Sequence, residues 1–244
     1  MSVLPSTLRL LCLDLDDTIL DDSWSLQEAW DLVARLVVAA DPKLDVALVR
    51  QQIKRTTRWY WSDPERERAR RVDLPRARHE IVTFVLEALD RPNPVIAAEA
   101  ARCYTEHRTS SLRLLEGALD ALARLRQQVP RLVLITNGAS APQRAKIERF
   151  ELSSYFDHIQ VEEEFGVGKP DPRVFESVLS RFAVDAEASC MVGDNYRCDV
   201  LGSLEVGMQA VWIERSGVQP PPSLAPRSFA RLRSIVELVA LLTA

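Results

Sequence analysis

Asp14 and Asp16 stand two residues apart in "LCLDLDDTILDD", at the end of an apolar run (Leu11, Cys12, Leu13, Leu15) that suits a buried strand. On an extended chain, side chains two apart share a side. Burying bare carboxylates is costly unless they are paired or bind a metal. Two of them held close repel, and one pKa rises unless a cation intervenes. The pair therefore suits either shared-proton chemistry or a hard metal ion. Asp194, in "SCMVGDN", can supply a third oxygen ligand, and Mg²⁺ takes one or two carboxylates, waters and a substrate phosphate oxygen. Lys169, in "GVGKPDP", adds a fixed positive charge. Thr136, Asn137 and the backbone N–H of Gly138, in "ITNG", add neutral donors. Together these groups suit a phosphoryl group, with metal and lysine for charge and donors for the remaining oxygens.

These residues lie far apart in the chain, so the elements that carry them must converge. Residues 8–15 predict a strand. "RLVLITNG" and "SCMVGDN" predict strands ending in polar turns, "HIQVE" a weaker strand and "QAVWI" a further one. Helices are expected from Ala118 to before Pro130, from Ser140 with Gln143 as a capping box, and over "DPRVFESVLSRF" with Asp171 as N-cap. "CDVLGSLEVG" predicts a helix closing at Gly207, "QPPPSLAP" a loop, and residues 228–243 a last helix. Strands alternating with helices imply an α/β fold: a parallel sheet covered on both faces. Ligands of such sheets bind outside the carboxyl ends of the strands, where the polar residues above are placed. Residues 23–112 contain no convincing strand. Leu26, Ala29, Trp30, Val33 and Val37, and again Ile81, Phe84, Val85 and Ala88, fall at helical spacing, which predicts an all-helical block.

"DLDDT", "ITNG", "GKPDPRVF" and "GDNYRCDVLGS" resemble, in order, the four motifs of the haloacid dehalogenase-like hydrolase superfamily. The resemblance implies a Rossmann-like three-layer core from residues 1–20 and 113–244, with a helical cap domain inserted at 21–112. It implies that Asp14 is the nucleophile, forming an aspartyl-phosphate, and that Asp16 is general acid for the leaving group and then base for water. Asp16 also offers its backbone carbonyl to the metal. Thr136, Asn137 and Gly138 hold phosphoryl oxygens, Lys169 neutralises charge, and Asp14, Asp16 and Asp194 hold Mg²⁺. Asp199 supports the metal shell or orients Lys169, and Gly193 lets the backbone turn closely.

The superfamily also contains dehalogenases, whose residue two after the nucleophile is typically not Asp. An acid helps an alkoxide leave and does nothing for a halide, so Asp16 favours phosphate esters. The flanks of the motifs are similar to the nucleotidase and N-acylneuraminate-9-phosphatase branch. The expected function is thus a Mg²⁺-dependent phosphatase for a small phosphorylated metabolite, a nucleotide or sugar phosphate. A 2-haloacid dehalogenase, a phosphotransferase such as a phosphomutase, and a non-catalytic binding protein are the alternatives.

Other polar features have plainer readings. Asp17, Asp21 and Asp22 are expected as turn residues or N-caps for the helix after Ser23, and Asp199 can cap the helix that follows it. Arg50–Arg78 holds ten Arg or Lys and four Asp or Glu, expected as a solvated face rather than an anion-binding surface. Trp59, Tyr60 and Trp61 cannot all face one core. His79, His107 and His158 sit in no motif. Cys12, Cys103, Cys190 and Cys198 form no C-x-x-C pair and are expected as reduced packing residues.

The composition is 47% hydrophobic and 27% charged with a formal net charge of −4, ordinary for a globular chain and giving no reason to expect a nucleic acid polymer. No signal-peptide pattern and no apolar stretch of about 18 residues is present. A cytoplasmic protein with no membrane association is expected, acting on a small phosphate ester as a monomer or homodimer.

Overall fold

A computed structural model describes residues 8–215 and 229–243. The chain divides into two compact units, one of residues up to Asp21 together with those from Leu114 onward, the other Asp22–Arg113. The "QPPPSLAP" stretch, expected as a loop, lies outside the described residues.

In chain order the first unit begins with β1 (Leu10–Leu13) and β2 (Leu20–Asp21). The second unit is helical: α1 (Leu26–Ala40), α2 (Val46–Trp61), α3 (Pro64–Arg70), α4 (Leu74–Ala88) and α5 (Pro94–Ser111). After β3 (Arg113–Leu114), the first unit resumes with α6 (Ala118–Gln128), β4 (Arg131–Thr136), α7 (Ser140–Arg149), β5 (His158–Val161), α8 (Glu162–Phe165) and α9 (Pro172–Phe182). It continues with β6 (Ser189–Gly193), a π-helical turn (Tyr196–Leu201), α10 (Gly202–Glu205), β7 (Gln209–Ile213), β8 (Ala230–Leu232) and α11 (Ile235–Thr243).

The sheet order is β5-β4-β1-β6-β7-β8, and every pairing in it is parallel. Residues of both parities along β1, β4 and β6 are buried, so both faces of the sheet are covered, as a parallel sheet requires. Leu10, Cys12, Val133, Ile135 and Met191 pack with Val174, Phe175 and Val178 of α9 on one face. Burying each such aliphatic side chain stabilises the fold by about 1.5–3 kcal/mol. Chain order reverses between β1 and its neighbour β6, which opens a crevice at their carboxyl ends.

Several local expectations change. Residues 228–243 do not form one helix: Ala230 pairs with Val211 and Leu232 with Ile213, so β8 precedes α11. The N-cap of α7 is Ala139, without a side-chain cap bond, and the Ser140–Gln143 capping box does not form. Asp171 does cap α9, accepting the N–H of Arg173. Asp17 makes a turn at φ 57°, but Asp17 and Asp21 face Arg215 and Asp22 pairs with Arg108. The N-cap of α1 is Ser25.

The helical unit has its own core of Ala29, Val33, Val37, Val49, Val82, Val85, Ala97 and Tyr104. Tyr60 is fully buried while Trp59 of the same helix is half exposed, so adjacent aromatics do turn to different surroundings. Cys12, Cys190 and Cys198 are buried and Cys103 is partly so, all as free thiols. Among the described residues, no helix is long and apolar enough to cross a membrane.

Candidate active site

β1, β4 and β6 end near one another: Leu13, the last residue of β1, is paired with Leu134 on one side and Val192 on the other, close to the ends of β4 and β6. Asp14 continues the ladder by donating its N–H to Val192 O. The residues that follow each strand therefore meet at one edge. A cavity of about 180 Å³ opens there, and Asp14, Asp16, Thr136, Asn137, Lys169, Asp194 and Asp199 all line it.

Lys169 is the centre of charge and is almost completely buried. Its Nζ donates to Asp14 Oδ1 at 2.6 Å and to Ile135 O at 2.8 Å, and lies 2.7 Å from Asp199 Oδ1. Asp199 is held in turn by the Asn195 N–H, which donates to its Oδ2 at 2.9 Å. Burial works against the Lys169 ammonium, but Asp14 and Asp199 more than offset it and its pKa is raised. A Cβ at Gly193 would overlap the Asp199 carboxylate, so the close turn there depends on glycine.

One ligand oxygen from each of Asp14, Asp194 and Asp199 lies within 4.8 Å of the others. Three carboxylates face one lysine. Burial, and then Asp14, Asp199 and Asp17, push Asp194 up to about 9. Burial and the negative charges of Asp199 and Asp16 push Asp14 up to about 7 despite Lys169. This surplus of negative charge, on hard oxygen donors at one point, fits a divalent cation such as Mg²⁺. The backbone of Asp194 is fixed by Trp212, whose Nε1 donates to its carbonyl at 2.8 Å.

Of the expected phosphoryl donors, Gly138 is engaged elsewhere and Asn137 has a further task. The Gly138 N–H donates within the protein, to Glu162 Oε2 at 2.8 Å. Asn137 grips the Lys169 backbone from both ends, its Nδ2 donating to Lys169 O and its Oδ1 accepting the Lys169 N–H, each at 2.8 Å. Its second amide hydrogen is what remains for a ligand. Thr136 lines the cavity as well.

Four residues outside the expected set also shape the site. Glu162 is buried against Gly168, where a Cβ would overlap its carboxylate, and so ties the "GVGKP" loop to Gly138. Arg215 gathers Asp17 and Asp21. Gln143 and Lys146 of α7 both reach Asp16. The burial of Gln143, a polar residue in a helix with little apolar stripe, marks it only in the folded chain.

The family model described as haloacid dehalogenase-like hydrolase matches residues 8–207. The glyceraldehyde 3-phosphate phosphatase of Pyrococcus abyssi is 37% identical over 132 residues, 54% of this chain and 56% of that protein. The human (Homo sapiens) N-acylneuraminate-9-phosphatase is 36% identical over 151 residues, 62% of this chain and 60% of that protein. The chain thus spans little more than half the length of these curated relatives. Among solved structures, the HAD-hydrolase YfnB from Bacillus subtilis, bound to magnesium, matches with a TM-score of 0.75 at 24% identity, over 98% of this chain and 100% of that one, a likeness of fold.

Proposed function

The chain belongs to the haloacid dehalogenase-like hydrolases, and on that premise we propose that it is a Mg²⁺-dependent phosphatase acting on a small phosphate ester. One observation carries the reading: Asp14, held by Lys169, shares its cavity with a second carboxylate, Asp16. A nucleophile alone serves either chemistry of the superfamily. An acid beside it serves only a leaving group that needs a proton.

Asp14 attacks phosphorus through the oxygen not bound by Lys169. A P–O bond to Asp14 forms, the P–O bond to the substrate breaks, and Asp16 gives the leaving oxygen its proton. Asp16 then takes a proton from water as that water attacks the aspartyl-phosphate, releasing inorganic phosphate and restoring Asp14. The Thr136 hydroxyl and the second amide hydrogen of Asn137 hold phosphoryl oxygens, and Lys169 offsets the charge that builds on Asp14. Mg²⁺ would be held by the Asp14 and Asp194 side chains and the Asp16 carbonyl, with Asp199 behind them, and would supply positive charge to the phosphoryl oxygens. The helical unit takes the cap role by its place in the chain, between the segments of Asp16 and Thr136. The phosphatase names of the relatives, and the likeness of the motif flanks to nucleotidase and N-acylneuraminate-9-phosphatase, support a nucleotide or sugar phosphate as substrate.

The test is a screen of phosphorylated metabolites with and without Mg²⁺, with Asp14→Asn as control. Phosphate release that needs both Mg²⁺ and Asp14 is expected. A folded wild-type protein that hydrolyses no phosphate ester in the presence of Mg²⁺ overturns the reading.

A further inference from the structure

Gln143 and Lys146 have no part in the chemistry above, yet both end on its acid. They are three apart on α7 and so share a helix face. Lys146 Nζ donates to both oxygens of Asp16, each at 2.8 Å. Gln143 Nε2 donates to Asp16 Oδ2 at 3.0 Å and also to Thr136 Oγ1. Gln143 is 4% exposed, so water does not compete for these bonds.

Gln143 presents its NH₂ group to both neighbours, and its two hydrogens serve Asp16 and Thr136. Thr136 Oγ1 is then an acceptor from Gln143 and keeps its own hydrogen to donate. Among the described residues, the acceptor it has is Asn137 O at 3.4 Å, a long bond. The hydroxyl hydrogen is therefore available to an oxygen placed in the cavity.

We propose that Gln143 and Lys146 are positioning residues: Gln143 makes the Thr136 hydroxyl a donor toward the phosphoryl group, and with Lys146 it fixes the Asp16 carboxylate where the leaving oxygen will stand. The proposal rests on the phosphatase reading. It places the control of both ends of the reacting bond, phosphoryl donor and leaving-group acid, on one face of α7. Neither residue touches the reacting atoms; each acts through a neighbour.

Two measurements of kcat/KM test it. The first compares p-nitrophenyl phosphate, whose leaving group needs no proton, with the alkyl phosphate that the screen returns. In Lys146→Met, at a partly exposed position, kcat/KM is expected to fall about tenfold or more on the alkyl ester and less than about threefold on the aryl ester. A structural defect would lower both alike. The second is a double-mutant cycle of Gln143→Met and Thr136→Val. Gln143→Met alone is expected to cost about tenfold, and less than about twofold once Thr136→Val has removed the hydroxyl. Equal losses on the two esters together with an additive cycle overturn the positioning role while wild-type activity upholds the phosphatase. A wild type that hydrolyses neither ester overturns the phosphatase reading and this proposal with it.

Discussion

Lys169 Nζ stands 2.6 Å from Asp14 Oδ1 in an interior where the lysine is 1% exposed and the aspartate 8%. The same nitrogen is 2.7 Å from Asp199 Oδ1, so one ammonium answers two buried carboxylates. Removing one partner of a buried pair leaves uncompensated charge, at a cost of about 3–5 kcal/mol. Lys169→Met is therefore expected to lose that much stability by urea denaturation in metal-free buffer, besides losing phosphate release. A loss below about 1 kcal/mol would mean that the carboxylates are neutralised by something other than Lys169.

Much of this site was legible because parallel strands advertise themselves. β1, β4 and β6 are short apolar runs that each end in polar residues, and the rule for α/β sheets brings those ends together. The contacts made between residues far apart in the chain were not legible. Gln143 stands three residues after Ser140, where a local reading finds a capping box, but its true partner Asp16 is 127 residues away. Arg215 and Asp21 are 194 residues apart, and nothing in either stretch announces the pair. β8 was hidden for a related reason. Phe229, Ala230, Leu232, Ile235 and Leu238 can be read at helical spacing, and only pairing with β7 makes Ala230–Leu232 a strand.

Gly193 offers a test of crowding rather than charge. An added methyl would stand where the Asp199 carboxylate now lies. Gly193→Ala is expected to push Asp199 off Lys169 and to cost about 1–3 kcal/mol, with a large fall in kcat. Thermal denaturation and steady-state kinetics check both. A variant with wild-type stability and wild-type kcat would show that Asp199 has room to move without consequence.

The helical unit carries its own pH-sensitive knot. Arg70 donates to both oxygens of Glu80 at 3.0 Å, Arg76 donates at 2.9 Å, and the buried Tyr60 donates its hydroxyl. These hydrogen bonds, that of Arg70 foremost, hold the Glu80 carboxyl down to about 2 from an ordinary 4.5. A depressed acid contributes its stability above the ordinary value and loses it as pH falls toward the folded one. Glu80→Gln is therefore expected to destabilise the chain at neutral pH and to flatten the loss of stability between about pH 4.5 and 2. Denaturation followed by tryptophan fluorescence across that range checks it. Parallel pH profiles for variant and wild type would remove Glu80 from the account.

Asp194 should respond in the opposite sense, because burial and three neighbouring aspartates raise its pKa to about 9 from 3.8. In metal-free protein a raised acid makes folding less favourable as pH climbs from its ordinary value toward the folded one, since the folded state resists ionisation. Asp194→Asn carries no such penalty. At pH 8 in a chelator, the variant is expected to melt above the wild type, by about 2–4 °C for each kcal/mol relieved. Added Mg²⁺ should reverse the order: the wild type gains stability by binding the ion in its folded state, and the variant, short of a ligand oxygen, gains little. Thermal melts of both proteins with chelator and with millimolar Mg²⁺ decide it. A variant that melts lower in chelator, or that keeps the full response to Mg²⁺, would place the surplus charge and the cation away from Asp194.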